Sequence, residues 1–190
     1  MVNNQKFAYQ TGVTLLEVLV TLIILAIGLL GLAGLQMRLQ SSQMEAFQRS
    51  QALIMLNDMA SRIAANRTNA ASYVTGTTNP LGTGATCPSG SSSNAVQNDK
   101  HEWCLALQGA GEKVSTTNAG GPVAARGCVE QPDTGVKEFI VTIAWQGLTP
   151  LTAPSSGLAC GQNSYDIGTN CVDDLCRRTV STVVRVSTLN

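Results

Sequence analysis

The chain has 190 residues, with 12 basic and 12 acidic side chains and a formal net charge of +0. That balance excludes a global electrostatic pull toward nucleic acid or an anionic membrane surface, and the length suffices for one modest globular domain beside any anchor. Charged residues are only 13% of the chain and aromatics 4%, so the apolar content is unevenly placed and its location carries the information.

Residues 1–12 (MVNNQKFAYQTG) are polar, carry the single basic residue Lys6 and end in Gly12. Val13–Leu35 (VTLLEVLVTLIILAIGLLGLAGL) follows at once and holds one charge, Glu17. A bilayer-spanning helix needs about 20 mainly apolar residues. A secretory signal peptide is cut after its apolar region. Here the natural break, at Thr11-Gly12, precedes that region, and cleavage after Gly12 would leave the apolar helix on the mature chain. Without a proline, the stretch runs on into QMRLQSSQMEAFQRSQALIMLNDMASRIAANR. Leu53, Leu56, Ala60, Ile63 and Ala64 recur there at helical steps, with Met44 and Phe47 one turn apart, and Arg49, Asp58 and Arg62 at polar positions. One continuous helix is therefore predicted from Val13 to Asn66. It is apolar all round over 13–35 and amphipathic over 36–67, with the stripe Leu53/Leu56/Ala60/Ile63 packing on a domain. Gly28, Gly31 and Gly34 each cost about 1 kcal/mol of helix stability relative to alanine. They serve either close helix packing or local loosening.

Residues 68–98 are rich in Thr, Ser, Gly, Asn and Ala, with Pro80 and Pro88, and read as a long loop. Residues 99–108 (DKHEWCLALQ) read as a short helix with Asp99 as N-cap. Gly127–Glu130 and Glu138–Gln146 read as strands, the second alternating Phe139, Val141, Ile143 and Trp145 against Ile140, Thr142 and Ala144. A Pro/Gly/Ser-rich loop over 147–176 precedes a β-branched strand, Arg178–Ser187. The predicted fold is α+β: a long N-terminal helix packed on a small antiparallel sheet, with disulfide-tied loops over 68–190.

The six cysteines, Cys87, Cys104, Cys128, Cys160, Cys171 and Cys176, all lie in the polar part of the chain. An even number so confined points to structural disulfides in an oxidising compartment, and the pairing stays open. No C-x-x-C pair occurs and His101 is the sole histidine, so no metal is expected. His101-Glu102 lacks the second histidine of H-E-x-x-H and reads as a solvated helix start. GTGAT (82–86) and GAGEK (109–113) lack phosphate-loop spacing. Asp166, Asp173 and Asp174 lack EF-hand spacing and read as a charged loop. Trp103 and Trp145 read as core. No Ser/His/Asp or Cys/His set is recognisable, so neither an enzyme, a cofactor nor a small-molecule substrate is expected.

Glu17 is the chemically odd residue, because a carboxylate inside a membrane segment is costly and calls for a partner. Cleavage after Gly12 would create an α-amino group on Val13, one helical turn from Glu17, as its natural counter-charge in the same or a neighbouring subunit.

G-VTLLEVLVTLIILAIGLLGLAGLQ resembles the class III signal and membrane helix of type IV pilins and type II secretion pseudopilins. The resemblance implies cleavage after Gly12 by a prepilin peptidase, methylation of Val13, and a role in assembly for Glu17. Val13 stands where the family usually has Phe, Met or Leu. IGLLGLAGLQ, QALIMLNDMASRIAANR, HEWC and EFIVTIAWQG are similar to minor pilins of the PilV type, the type IV pilus modification proteins. Where major pilins usually bend their helix at a proline, this chain has none before Pro80. That resemblance implies an inner-membrane precursor with a periplasmic domain, later a filament subunit. Its partners would be other minor pilins, the major pilin, the inner-membrane assembly platform and a tip adhesin. Two alternatives stand beside it. One is a type II secretion minor pseudopilin. The other is a filament-borne adhesion or DNA-binding module, for which Arg177-Arg178 is the only local basic pair.

Overall fold

The structure, a computed structural model, describes residues 12–187. Its contacts divide the chain after Ser42 into two units. Among the described residues a single α-helix, α1 (Leu15–Ala65), supplies the regular structure of the first unit and opens the second. It runs unbroken through Gly28, Gly31 and Gly34, none of which has a neighbour where a Cβ would stand. Over the first unit its large apolar side chains are all exposed, from Leu15 to Leu39.

In the second unit α1 turns one stripe into the core. The buried positions are Gln48, Ala52, Leu56, Met59 and Ile63. The predicted stripe is thus corrected at one edge: Leu53 is 40% exposed, and Ala52 takes its place. Alanine has almost no side chain, so at that position the helix backbone itself packs close. Ala60 is half-buried beside the core, as expected of a flank.

The region 67–98 is more structured than a loop. A 3-10 turn (Arg67–Tyr73) follows α1 directly, and a two-residue strand β1 (Leu81–Gly82) comes next. The second helix, α2, spans Ala95–Leu107, and its N-cap is Asn94, whose side chain accepts from the Gln97 amide at 3.2 Å. Asp99 is not the cap. It lies inside the helix, where its carboxylate binds Arg62 and Tyr73 instead. His101 is likewise not at a solvated start: it is half-buried, and its Nδ1–H donates to the Pro88 carbonyl at 2.7 Å.

A small hairpin, β2 (Lys113–Val114) with β3 (Thr117–Asn118), stands apart from the main sheet. That sheet is antiparallel in the order β1-β4-β5-β6, with β4 at Arg126–Glu130, β5 at Glu138–Gln146 and β6 at Arg177–Arg185. The register pairs Cys128 with Thr142 and Ile143 with Val180. Phe139, Val141, Ile143 and Trp145 face the core shared with α1, α2 and the 3-10 turn. On the opposite face Thr142 and Ala144 are fully buried as well. The segment after Leu158 lies across them: a Cβ on Gly161 would stand 3.1 Å from that of Ala144, and Cys160 is bonded to Cys128 on β4.

Candidate functional site

Gly12, Val13 and Thr14 precede the helix and are exposed. Thr14 is the N-cap: its hydroxyl accepts from the Glu17 amide at 3.3 Å, and its carbonyl accepts from Glu17 at 3.1 Å and Val18 at 3.3 Å. A threonine three residues before a glutamate is half of a capping box, which satisfies helix donors that otherwise have no partner. This cap was legible as T-x-x-E ahead of an apolar run, and the sequence reading passed over it. It places the Gly12–Val13 bond in non-helical chain and Glu17 in the first helical turn. Negative charge is favoured there by the helix dipole. The leader residues 1–11, including Lys6, lie outside the described residues. Behind Glu17 the helix is long and apolar enough to cross a membrane, and that apolar stretch is not buried.

The end of α1 is tied into the domain by ions. Arg62 donates to Asp58 at 3.0 Å, to Asp99 at 2.7 Å and to Glu102 at 2.8 Å. Burial alone would lower the Arg62 pKa, but the hydrogen bonds to Glu102, Asp58 and Asp99 outweigh it and raise the value further. The bond to Arg62 holds the Glu102 carboxyl below its ordinary value. The Tyr73 hydroxyl donates to Asp99 and accepts from the Asn66 amide at 3.3 Å; burial, then the bond to Asp99, pushes its pKa up to about 12. An open groove of about 1070 Å³ borders this cluster, lined by Arg62, Asn66, Asn69, Asn94, Asp99 and Lys100. Its acid and its arginine are already committed to each other. Sequence periodicity put Arg62 on a polar face and said nothing of Asp99 and Glu102, which come from 37 and 40 positions away.

The cysteines pair as Cys87–Cys104, Cys128–Cys160 and Cys171–Cys176. The first binds the loop before α2 to α2, and the His101–Pro88 hydrogen bond lies next to it. Trp103 and Trp145 are core residues, 0% and 4% exposed, and the Trp103 indole donates to the Met55 carbonyl of α1 at 2.9 Å. Asp174 pairs with Arg177 at 3.1 Å, and Asp166 accepts from the Asp174 amide, so these acids are spent within the loop. Among the described residues no cluster of three or more His, Cys, Asp or Glu side chains could hold a metal.

A membrane-type helix with a capped, acid-bearing start, packed by its second half on a disulfide-tied antiparallel sheet, defines a helix-anchored subunit of the pilin type. The family comparison agrees. Residues 8–33 match the prokaryotic N-terminal methylation motif, and residues 34–111 match the family described as type IV pilin Tt1218. These matches adjoin: an N-terminal methylation motif leads directly into a stretch similar to a type IV pilin. No curated protein and no solved structure matches it.

Proposed function

We propose that the chain is a minor pilin of a type IV pilus, similar to those of the PilV type, which helps to prime assembly within a tip-proximal complex. A prepilin peptidase cuts after Gly12 and methylates Val13. The helix holds the subunit in the inner membrane, with the domain in the periplasm, until the subunit enters the filament. Glu17 then sets register against the α-amino group of a neighbour. Other minor pilins, the major pilin and the assembly platform are its partners.

The observation that carries this reading is the exposure of α1. Its first unit buries none of its large apolar side chains. In the second unit Phe47 (59% exposed) and Ile54 (67% exposed), two turns apart, face away from the core stripe. Bare apolar side chains along a helix need another partner, and helices of neighbouring subunits supply one. The test is intact mass and N-terminal sequencing of the protein from sheared surface filaments and from membranes. A chain starting at N-methylated Val13 in the filaments is the expected result. A chain still starting at Met1 and confined to the membrane overturns the reading.

The type II secretion pseudopilin shares every feature of Gly12–Glu17, and loss of secreted enzymes rather than pili in a deletion strain would identify it. A DNA-binding role draws no support from the basic pair. Arg177 is buried against Asp174, and Arg178 is held by Glu45 and the Thr149 carbonyl.

A further inference from the structure

Arg177 opens β6 with its side chain 1% exposed. A guanidinium stays charged in proteins, so burying it demands a counter-charge. Asp174 is that counter-charge, itself only 7% exposed, at 3.1 Å. The carbonyls of Leu158 and Cys160 take further guanidinium hydrogens, and Nε has no partner. The position of one carboxylate therefore decides whether this buried cation is compensated.

Asp174 is held in an unusual way. It and Asp173 are successive non-glycine residues in the left-handed region, with φ of 61° and 53°. L-residues visit that region singly and reluctantly. The Cys171–Cys176 bond closes a ring around both of them. Two hydrogen bonds extend the grip: Asn163 N–H donates to the Asp174 carboxylate at 2.8 Å, and Asp174 N–H donates to Asp166 at 2.9 Å. The segment 161–176 is fixed at its start by Cys128–Cys160 and at its end by β6. Between these ends it covers Ala144 on the second face of the sheet.

We propose that Cys171–Cys176 is a thiol-sensitive latch, whose reduction releases Asp174 from Arg177 and opens the segment 161–175 over the second face of the sheet while the rest of the domain stays folded. The reductant is a thiol or dithiol. Its thiolate attacks one sulfur of the bond, and a second thiolate resolves the mixed disulfide. The protein gains two electrons and two protons as two cysteine thiols, and the reductant leaves as its disulfide. Cys171 is half-buried and gives an approach, whereas Cys128 and Cys160 are both 0% exposed. Cys87 is also half-buried, but its bond ties a different loop. Freed of the ring, Asp173 and Asp174 relax from the left-handed region, and the uncompensated Arg177 draws water in.

The test is hydrogen exchange on the full chain in detergent, comparing the wild type with C171S/C176S. The Asn163 and Asp174 amides should exchange at least tenfold faster in the variant, with β4 and β5 amides unchanged. Unchanged protection at Asn163 and Asp174 overturns the proposal. Should the double variant lose protection everywhere, the wild type is titrated with dithiothreitol and its thiols are mapped by alkylation and mass spectrometry. Loss of protection at Asn163 and Asp174 that follows the Cys171 and Cys176 thiols supports the latch; loss that follows any other pair overturns it. Asp174→Asn, with all three disulfides intact, should reproduce the exchange pattern.

Discussion

Gly127 on β4 offers the sharpest quantitative test of how the domain grips its helix. A Cβ at this position would stand 2.2 Å from the Trp103 ring and 2.7 Å from Leu107. Both side chains are fully buried, at 0% and 1% exposure, so neither has room to yield. Gly127→Ala therefore overpacks a close-packed site, which typically costs about 1–3 kcal/mol. If the indole moves aside instead, its 2.9 Å hydrogen bond to the Met55 carbonyl breaks. A buried donor left without a partner costs about 1–3 kcal/mol. The two responses are alternatives in part, so the expected loss is about 2–4 kcal/mol. At about 2–4 °C per kcal/mol for a domain of this size, Tm falls by roughly 5–15 °C. The assay is urea unfolding of the full chain in detergent followed by tryptophan emission, to which Trp103 contributes directly. Gly157→Ala serves as control, since nothing lies within 4 Å of its added Cβ, and it should change stability by no more than about 0.5 kcal/mol. A Gly127→Ala protein within about 0.5 kcal/mol of wild type would refute the packing of α2 between β4 and α1.

Glu17→Ala should insert in the membrane normally yet enter filaments poorly, as read by immunoblots of sheared and membrane fractions; normal incorporation would sink the pairing role. Phe47→Ser with Ile54→Ser should leave urea unfolding within about 0.5 kcal/mol, because both side chains are exposed, and should lower recovery in sheared filaments. Arg62→Met should cost about 1–3 kcal/mol by leaving Asp99 without its cation. It should also flatten the acid limb. Glu102 titrates below its ordinary value in the folded chain, so its contribution is present above pH 4.5 and lost as pH falls through the lowered value. At the alkaline end the sign reverses. Tyr73 has a folded pKa of about 12 against 10.0 unfolded, so its contribution is full below pH 10 and lost as pH rises through about 12. Tm against pH, with phenolate absorbance as the titration readout, checks this, and Tyr73→Phe should weaken the drop.

What was legible in the sequence depended on strict periods. β5 falls on Glu138–Gln146 as read, because alternation and flanking polar residues bound it on both sides. β6 begins one residue earlier than read, at Arg177, whose burial no hydropathy pattern signals. The helix α1 is clear from its apolar run and the absence of proline, and Leu56 and Ile63 are buried as read, but one edge of the buried face was misplaced. Leu53 carries more apolar surface than Ala52, so the pattern favoured the wrong neighbour. Gln48, buried at 3% exposure, runs against hydropathy altogether. The 3-10 turn and the early start of α2 were missed because Ser, Thr and Asn serve caps and loops alike. Asn94 proves to be a cap only once Gln97 N–H is seen pointing at it. At the N-terminus, Gly12, Val13 and Glu17 were legible as a constellation, and Thr14 was the missing fourth member. The disulfide pairing was beyond reach, since it depends on which loops the sheet brings together.

The arginines show why a local basic pair is a poor guide to partners. Arg62 serves three carboxylates, Arg126 lies over the Tyr165 ring at 5.0 Å, Arg177 takes Asp174, Arg178 takes Glu45 and Arg185 takes Glu138. Apart from the Arg62–Asp58 pair within α1, each of these links joins elements far apart in sequence or fixes a loop to the sheet. A domain with long loops and a thin core gains from such ties as it gains from disulfides. The Arg177-Arg178 pair, spent internally, presents little free positive charge to a polyanion. Among the described residues the exposed large apolar side chains lie mostly along α1. Lateral packing of helices covers such a surface, and a polyanion does not.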